Sequence, residues 1–381
     1  MERCGECVLP LRFVKHSRQG VCIHCQNYKS RGKVDWAQKQ KDFDSIIRSF
    51  QGHGKKYDFL VAITGGKDST FVLYYLTQVL GVSRILAFTW DHLFHRPTSW
   101  TNMENAIAAT GVDFVSYRIM DAETTRAVYR ALFRKFGYTC IICYLLQSAV
   151  VLNQAIRHEA PFIVVGRTPG QAYLRGTDLP EPISPRQEVK DRLGIFTYLL
   201  RKTLRDEIGK NRTEEVIEEI LGNIRRGLQD KDFPWPKYVD VGAYMNWYQE
   251  DESSLLKKLS EAFKFQKPSD TLTHTSCMLE RVRGYQEYNF PKVDKTGYSS
   301  ELSHFVREGI VTRQEALIEL EKLGMTESVP DEVQDYLKEV GLTMEEFQQR
   351  LRKPLPLFIR AYFARVLAMR ALRRLWAKKN G

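Results

Sequence analysis

The spacing of apolar positions changes along this chain. Residues 57–64 form a short apolar run that ends in two glycines, and 68–80 place Phe71, Leu73, Leu76 and Leu80 at helical spacing. Further short runs lie at 84–90, 113–119 and 162–166, separated by helical patterns at 102–110, 122–136 and 145–158. Apolar runs that alternate with helices of this length predict βαβ units and a parallel sheet with helices on both faces. A helix at 36–50, with Trp36, Phe43, Ile46, Ile47 and Phe50 inward, leads into this α/β domain, expected over 36–210.

Beyond residue 210 the strands are expected to stop. Helical patterns follow at 213–226, 253–264, 301–323, 330–340 and 343–352, punctuated by Pro234-Trp235-Pro236 and Pro268-Ser269-Asp270. Thr312 precedes Glu315 by three residues, and Thr343 precedes Glu346 likewise, which is the capping-box spacing of a helix start. The expected organisation is a cysteine module at 1–35, the α/β domain at 36–210, a helical substrate or partner region at 211–353, and a C-terminal helix at 354–381.

Hydrophobic residues are 43% and charged residues 27% of the chain, ordinary for a protein that buries a core. No eighteen-residue apolar run and no signal-peptide pattern is present, so a cytoplasmic location is expected. The net charge of +11 is concentrated: Arg352, Lys353, Arg360, Arg365, Arg370, Arg373, Arg374, Lys378 and Lys379 occur without an acid among them, leaving about +2 elsewhere. The overall basicity is thus weak evidence for nucleic acid. In the tail, Ile359, Tyr362, Val366, Met369, Leu372 and Trp376 share one helical stripe. Such a helix can pack on the protein's own helices, lie on an anionic membrane as a peripheral contact at the inner face, or touch RNA.

The strongest chemical signal is the run from Phe59 through Thr64-Gly65-Gly66-Lys67-Asp68-Ser69-Thr70. Two glycines after a buried strand let backbone amides approach an anion, and the first helical turn adds its own amides. Lys67 supplies positive charge, and Thr64 and Ser69 supply hydroxyls. The loop is not a Walker sequence. It resembles the SGGxDS loop of PP-loop ATP pyrophosphatases, with Thr64 in the first hydroxyl position. That resemblance implies a HUP-like fold, ATP with Mg2+, and release of pyrophosphate. It also assigns Thr64, Gly65, Gly66, Lys67, Asp68, Ser69 and Thr70 to the nucleotide, with Lys67 and Asp68 as catalytic candidates. Asp91 and His92 follow the second strand and Gly166 ends the fourth, near the carboxyl edge where ligands of open parallel sheets bind; Asp91 and Gly166 are further nucleotide candidates. An ordinary loop remains the alternative at Asp91.

Cys4-x2-Cys7 and Cys22-x2-Cys25 are two knuckles whose four thiolates suit a structural, tetrahedral Zn2+, with His24 a bystander. Cys140-x2-Cys143 and the distant Cys277 are a second set. They could hold a 4Fe–4S cluster, act as a sulfur-carrying thiol and its resolving partner, or be buried apolar residues.

Over nearly its whole length the chain resembles the N-acetyl sugar amidotransferase family of bacterial surface-polysaccharide (lipopolysaccharide) synthesis. The matching residues are Cys4-x2-Cys7-Val8-Leu9-Pro10, Gly20-Val21-Cys22-x2-Cys25, Val34-Asp35-Trp36, the glycine loop, Cys140-x2-Cys143, Tyr244-Met245-Asn246-Trp247, and Arg307 through Ala316. The family implies ATP-dependent conversion of an acetamido group on a sugar, nucleotide-linked or lipid-linked, to an acetamidino group. Ammonia comes from a separate glutaminase subunit. Where the family has Glu-Asn-Pro after the fourth strand, this chain has Arg167-Thr168-Pro169-Gly170-Gln171. The cysteine layout also resembles tRNA thiolation enzymes, which makes sulfur transfer, with tRNA as partner, the alternative.

Overall fold

The computed structural model describes residues 2–30, 34–167, 186–246, 252–268, 277–290 and 297–354, together with 356, 357, 360 and 361. Several expectations lie outside these residues: the 168–171 loop, Trp247, Ser269 and Asp270, and the apolar stripe of the tail.

Five strands form one sheet: β1 (Phe59–Ala62), β2 (Ile85–Trp90), β3 (Asp113–Tyr117), β4 (Phe162–Val165) and β5 (Lys237–Asp240). Their order is β3-β2-β1-β4-β5 and every pairing is parallel. β1 and β2 are buried at every position, as strands packed on both faces must be. Alternate residues divide two cores. Leu60, Ala62, Leu86, Phe88, Trp90 and Ile163 face one cluster, while Phe59, Val61, Ile85, Ala87, Phe162 and Val164 face the other.

The fifth strand corrects the expectation that strands end before residue 210. Lys237–Asp240 is only four residues long and follows the proline pair, so it carries no apolar run of its own; its pairing with β4 makes it a strand. The sheet domain therefore runs past 210.

Fourteen α-helices are described. Before the sheet lie α1 (Ile23–Ser30) and α2 (Trp36–Phe50). Between strands lie α3 (Lys67–Tyr74), α4 (Pro97–Thr110), α5 (Ala122–Phe136), α6 (Thr139–Arg157), α7 (Arg186–Ile208) and α8 (Lys210–Gln229). After β5 come α9 (Glu252–Phe263), α10 (Leu279–Asn289), α11 (Gly297–Arg307), α12 (Arg313–Lys322), α13 (Asp331–Val340) and α14 (Met344–Arg352). The helix expected over 68–80 ends early, with Tyr75–Val79 as one π-helical turn. The helix expected over 301–323 is two, α11 and α12. Both capping boxes are formed, Thr312 with Glu315 and Thr343 with Glu346.

The late helices do not form a separate body. Leu302, Phe305, Ala316 and Leu320 join the core on the α3 side, whereas Val333, Tyr336, Val340 and Phe347 join the core on the α5 side. Phe347 stacks on Phe133 of α5 with centroids 5.1 Å apart and planes 5° from parallel. Outside that contact, Arg134 bridges Glu207 of α7 and Glu346 of α14 at 2.7 and 2.9 Å. Phe347→Ala should therefore cost about 3–5 kcal/mol, as aromatic core truncations do. It should lower the same urea transition that Leu60→Ala lowers. A second, separate transition for residues 297–353 would contradict the shared core.

Candidate nucleotide and thiol sites

The strand order reverses between β1 and β4, and a crevice opens at such a point at the carboxyl ends of the strands. The loop Thr64-Gly65-Gly66 leaves β1 there. Gly65 has φ 68°, and a Cβ at this position would lie 2.0 Å from the carbonyl oxygen of Ser99 on α4. Only glycine satisfies both constraints. Ser69 closes the loop: its hydroxyl accepts from the Thr64 amide at 3.0 Å, donates to the Gly66 carbonyl at 3.2 Å, and meets the Thr64 hydroxyl at 3.2 Å. Lys67, only 1% exposed, begins α3, its ammonium 3.8 Å from the Asp68 carboxylate. Thr70 is buried in the first turn, and its amide donates to Gly66 O at 3.0 Å. Gly166 ends β4 against this turn; a Cβ there would meet Asp68 O and Val72 Cγ2 at 2.9 Å. The expected nucleotide residues 64–70 and Gly166 are thus brought together.

Asp91 sits at the same edge but is engaged by its neighbours. Its carboxylate accepts from the Leu93 amide at 3.0 Å and pairs with Arg118 at the end of β3. Arg167 pairs with Asp240 of β5 at 2.7 Å and with the Tyr238 hydroxyl. The unusual arginine after β4 is thereby matched by a buried acid on the next strand.

Two residues of this site escaped the sequence reading, Ser99 and Asn102 on α4. The Asn102 amide donates to the Gly65 carbonyl at 3.1 Å and to the Gln266 carbonyl at 2.9 Å, and it accepts from the Gln266 amide at 2.8 Å. A fully hydrogen-bonded, buried asparagine of this kind fixes the loop in place.

Cys140 and Cys143 were expected between two helices. They lie instead on the first turns of α6, which begins at Thr139. The Tyr129 hydroxyl is 2.7 Å from Cys143 Sγ. Cys277 is held beside them by its backbone bridge to His95 and by the bond from the Met278 amide to Phe94 O at 2.8 Å. Burial raises the pKa of the Cys143 and Cys277 thiols, and the neighbouring cysteines raise them further. The three cysteines and the buried phenol of Tyr129 lie within electrostatic range of one another, but among the described residues only the four N-terminal cysteines bring their ligand atoms within 4.8 Å of each other. Beside them, His92 stacks on His95 with centroids 4.1 Å apart, and burial drives its pKa well below the usual imidazole range. His95, just before α4, bridges Cys277, and Ser99 in the first turn of α4 abuts the glycine loop.

The N-terminal knuckles are built as expected. Cys4, Cys7, Cys22 and Cys25 are buried, with their sulfurs all within 4.8 Å of one another. The pairs Cys4–Cys25 and Cys7–Cys22 are 3.9 and 3.8 Å apart. A tetrahedral metal with bonds of about 2.3 Å separates its sulfurs by roughly 3.8 Å, so the four thiols fit such an ion.

The strand order, the glycine loop and the helix that follows it make this a parallel α/β fold with a glycine loop at its sheet's reversal point. Residues 280–362 match the family model of the LPS biosynthesis protein WbpG-like, C-terminal domain. An uncharacterized protein of Methanocaldococcus jannaschii is 21% identical over 347 residues, covering 89% of this chain and 99% of the relative. Among solved structures, the U34-tRNA thiolase NcsA of Methanococcus maripaludis, with its 4Fe–4S cluster, aligns at 14% identity and a TM-score of 0.32, covering 90% of this chain and 98% of its own. The NH3-dependent NAD synthetase of Campylobacter jejuni, in complex with nitrate, aligns at 12% identity and a TM-score of 0.29, covering 62% and 99%. The architecture rests on this chain's own strand order and register.

Gly65→Ala tests the loop. The added methyl should displace either Ser99 or the loop, and calorimetric ATP binding should fall below detection while far-UV circular dichroism is unchanged. Wild-type affinity in this variant would remove the loop from the nucleotide site.

Proposed function

We propose that the chain activates an amide carbonyl with ATP and then replaces its oxygen with nitrogen. The carrying observation is the conjunction of the glycine loop at the sheet's reversal point with a C-terminal domain of the WbpG-like LPS biosynthesis kind. The acceptor's amide oxygen attacks the α-phosphorus, and pyrophosphate leaves. Ammonia then attacks the O-adenylated carbon, AMP departs, and an amidine remains. Loop amides and Lys67 hold the phosphates, with Mg2+ as the expected counter-ion. Asp68, in the same turn, is placed for the metal or for the start of the helix. The acceptor is an N-acetyl sugar of surface-polysaccharide synthesis, and the ammonia comes from a separate glutaminase subunit. The knuckles hold structural zinc.

A second reading is favoured by one observation, the proximity of Cys277, bridged to His95, to Cys140 and Cys143. Under it, sulfur replaces oxygen, with a 4Fe–4S cluster or a thiol carrier at these residues and tRNA as the acceptor. Among the described residues no helix is long and apolar enough to cross a membrane. Peripheral contact through the tail belongs to the first reading, in which the cytoplasmic product feeds a membrane-bound pathway.

Mass spectrometry of a reaction with ATP, offered ammonia and sulfide with N-acetyl sugar nucleotides, should show AMP, pyrophosphate and an acceptor lighter by about one mass unit, as O becomes NH. ADP as product would remove the adenylation step. A gain of about sixteen units, with iron in anaerobic protein, would transfer the assignment to sulfur. If Cys140 and Cys143 are functional, Cys140→Ser or Cys143→Ser should stop product formation and leave ATP binding intact. Full activity in the double variant would return both cysteines to packing roles.

A further inference from the structure

The N-terminal cysteine module touches residues about three hundred positions away. Arg313 Nε donates to the carbonyls of Cys4 and Cys7, both at 3.1 Å. Arg307 Nη1 lies 3.8 Å from Cys7 Sγ. Val306, between α11's core face and the module, packs against the cysteine cluster as well as the α3-side core. A third arginine runs the other way: Arg3 Nη1 donates to Val8 O at 2.5 Å and to Ser299 Oγ of α11 at 3.0 Å.

The contact would respond to a metal. Four thiolates around one Zn2+ carry a net charge of −2, so a loaded centre would attract Arg307 and Arg313 more strongly than an empty one. Arg313 also spans both ends of the first knuckle, since its two acceptors belong to Cys4 and Cys7.

The contact continues inward. Glu287 of α10, buried, accepts from the amides of Tyr298 and Ser299 at 2.7 and 3.2 Å and so caps the start of α11. One residue earlier, the Gln286 amide donates to Thr139 Oγ1 at 3.2 Å, at the first turn of α6 beside Cys140. α10 itself starts two residues after Cys277. Burial raises the pKa of the Tyr298 phenol, and the nearby Glu280 and Cys140 raise it further.

We propose that Arg307 and Arg313 are positioning residues that couple metal occupancy of Cys4, Cys7, Cys22 and Cys25 to the placement of Cys140 and Cys277 through the α11–α10 pair. The module is then a strut whose stiffness is set by its ion. This rests on the zinc reading, and it is independent of whether nitrogen or sulfur is transferred.

The test uses full-length protein whose zinc content is measured first; protein without zinc sinks the metal reading itself. With zinc present, chelator competition should show Arg313→Lys and Arg307→Ala releasing zinc with roughly tenfold weaker apparent affinity, as loss of a partner outside the ligand shell does. Iodoacetamide labelling read by mass spectrometry should show Cys140 and Cys277 reacting severalfold faster after zinc removal from wild type. They should react faster in the two variants at full zinc loading as well. Arg313→Lys keeps the charge and guards against misfolding as the cause, checked by an unchanged melting transition for the sheet. Zinc affinities within twofold of wild type, or labelling of Cys140 and Cys277 that ignores zinc removal, would overturn the coupling.

Discussion

The sheet is parallel throughout, and everything else in this molecule follows from that constraint. Parallel neighbours cannot be joined by tight turns, so each crossover is long and mostly helical, and helices come to lie on both faces. Burial on both faces leaves no polar side for a strand to show, hence the apolar run of β1 and of β2, which Thr89 alone interrupts. All five carboxyl ends then collect along one edge. The loops there carry the candidate nucleotide residues Thr64–Thr70, Asp91 and Gly166, with Arg167 beside them.

The edge is made specific by α4. It starts beside His95, next to the Cys277 strand contact, and within two turns supplies the Ser99 carbonyl that Gly65 must clear and the Asn102 amide that holds Gly65 O. A helix with one end next to the His95–Cys277 bridge and its next turn against the glycine loop ties these two segments together. Substitutions on that helix should be felt at both.

What was legible in the sequence had a local signature. Strands β1 to β4 announce themselves as apolar runs, the loop by its glycines and hydroxyls, the knuckles by cysteine spacing, and α12 and α14 by their capping boxes. What was not legible depends on distant partners. β5 is four residues with one exposed end, and only pairing with β4 defines it. Asn102 reads as a mediocre helix residue until the loop and Gln266 are placed around it. Cys140 and Cys143 precede a run of apolar residues that seemed to begin the helix at 145, because the start at Thr139 is stabilised by Gln286 rather than by a local cap. Arg307 and Arg313 are visible as part of a family stretch, but their role needs the cysteine module beside them.

The separation of Arg313 from Cys4 by 309 residues also orders events during synthesis. At roughly 5–20 residues per second, the cysteines emerge from the ribosome about 15–60 s before the arginine that seals them. During that interval the knuckles are open to solvent, and an ion taken up by the four thiols would exchange without hindrance. Once α12 emerges and docks, such an ion would lie under the last third of the chain, so its identity would be set while the protein is being made.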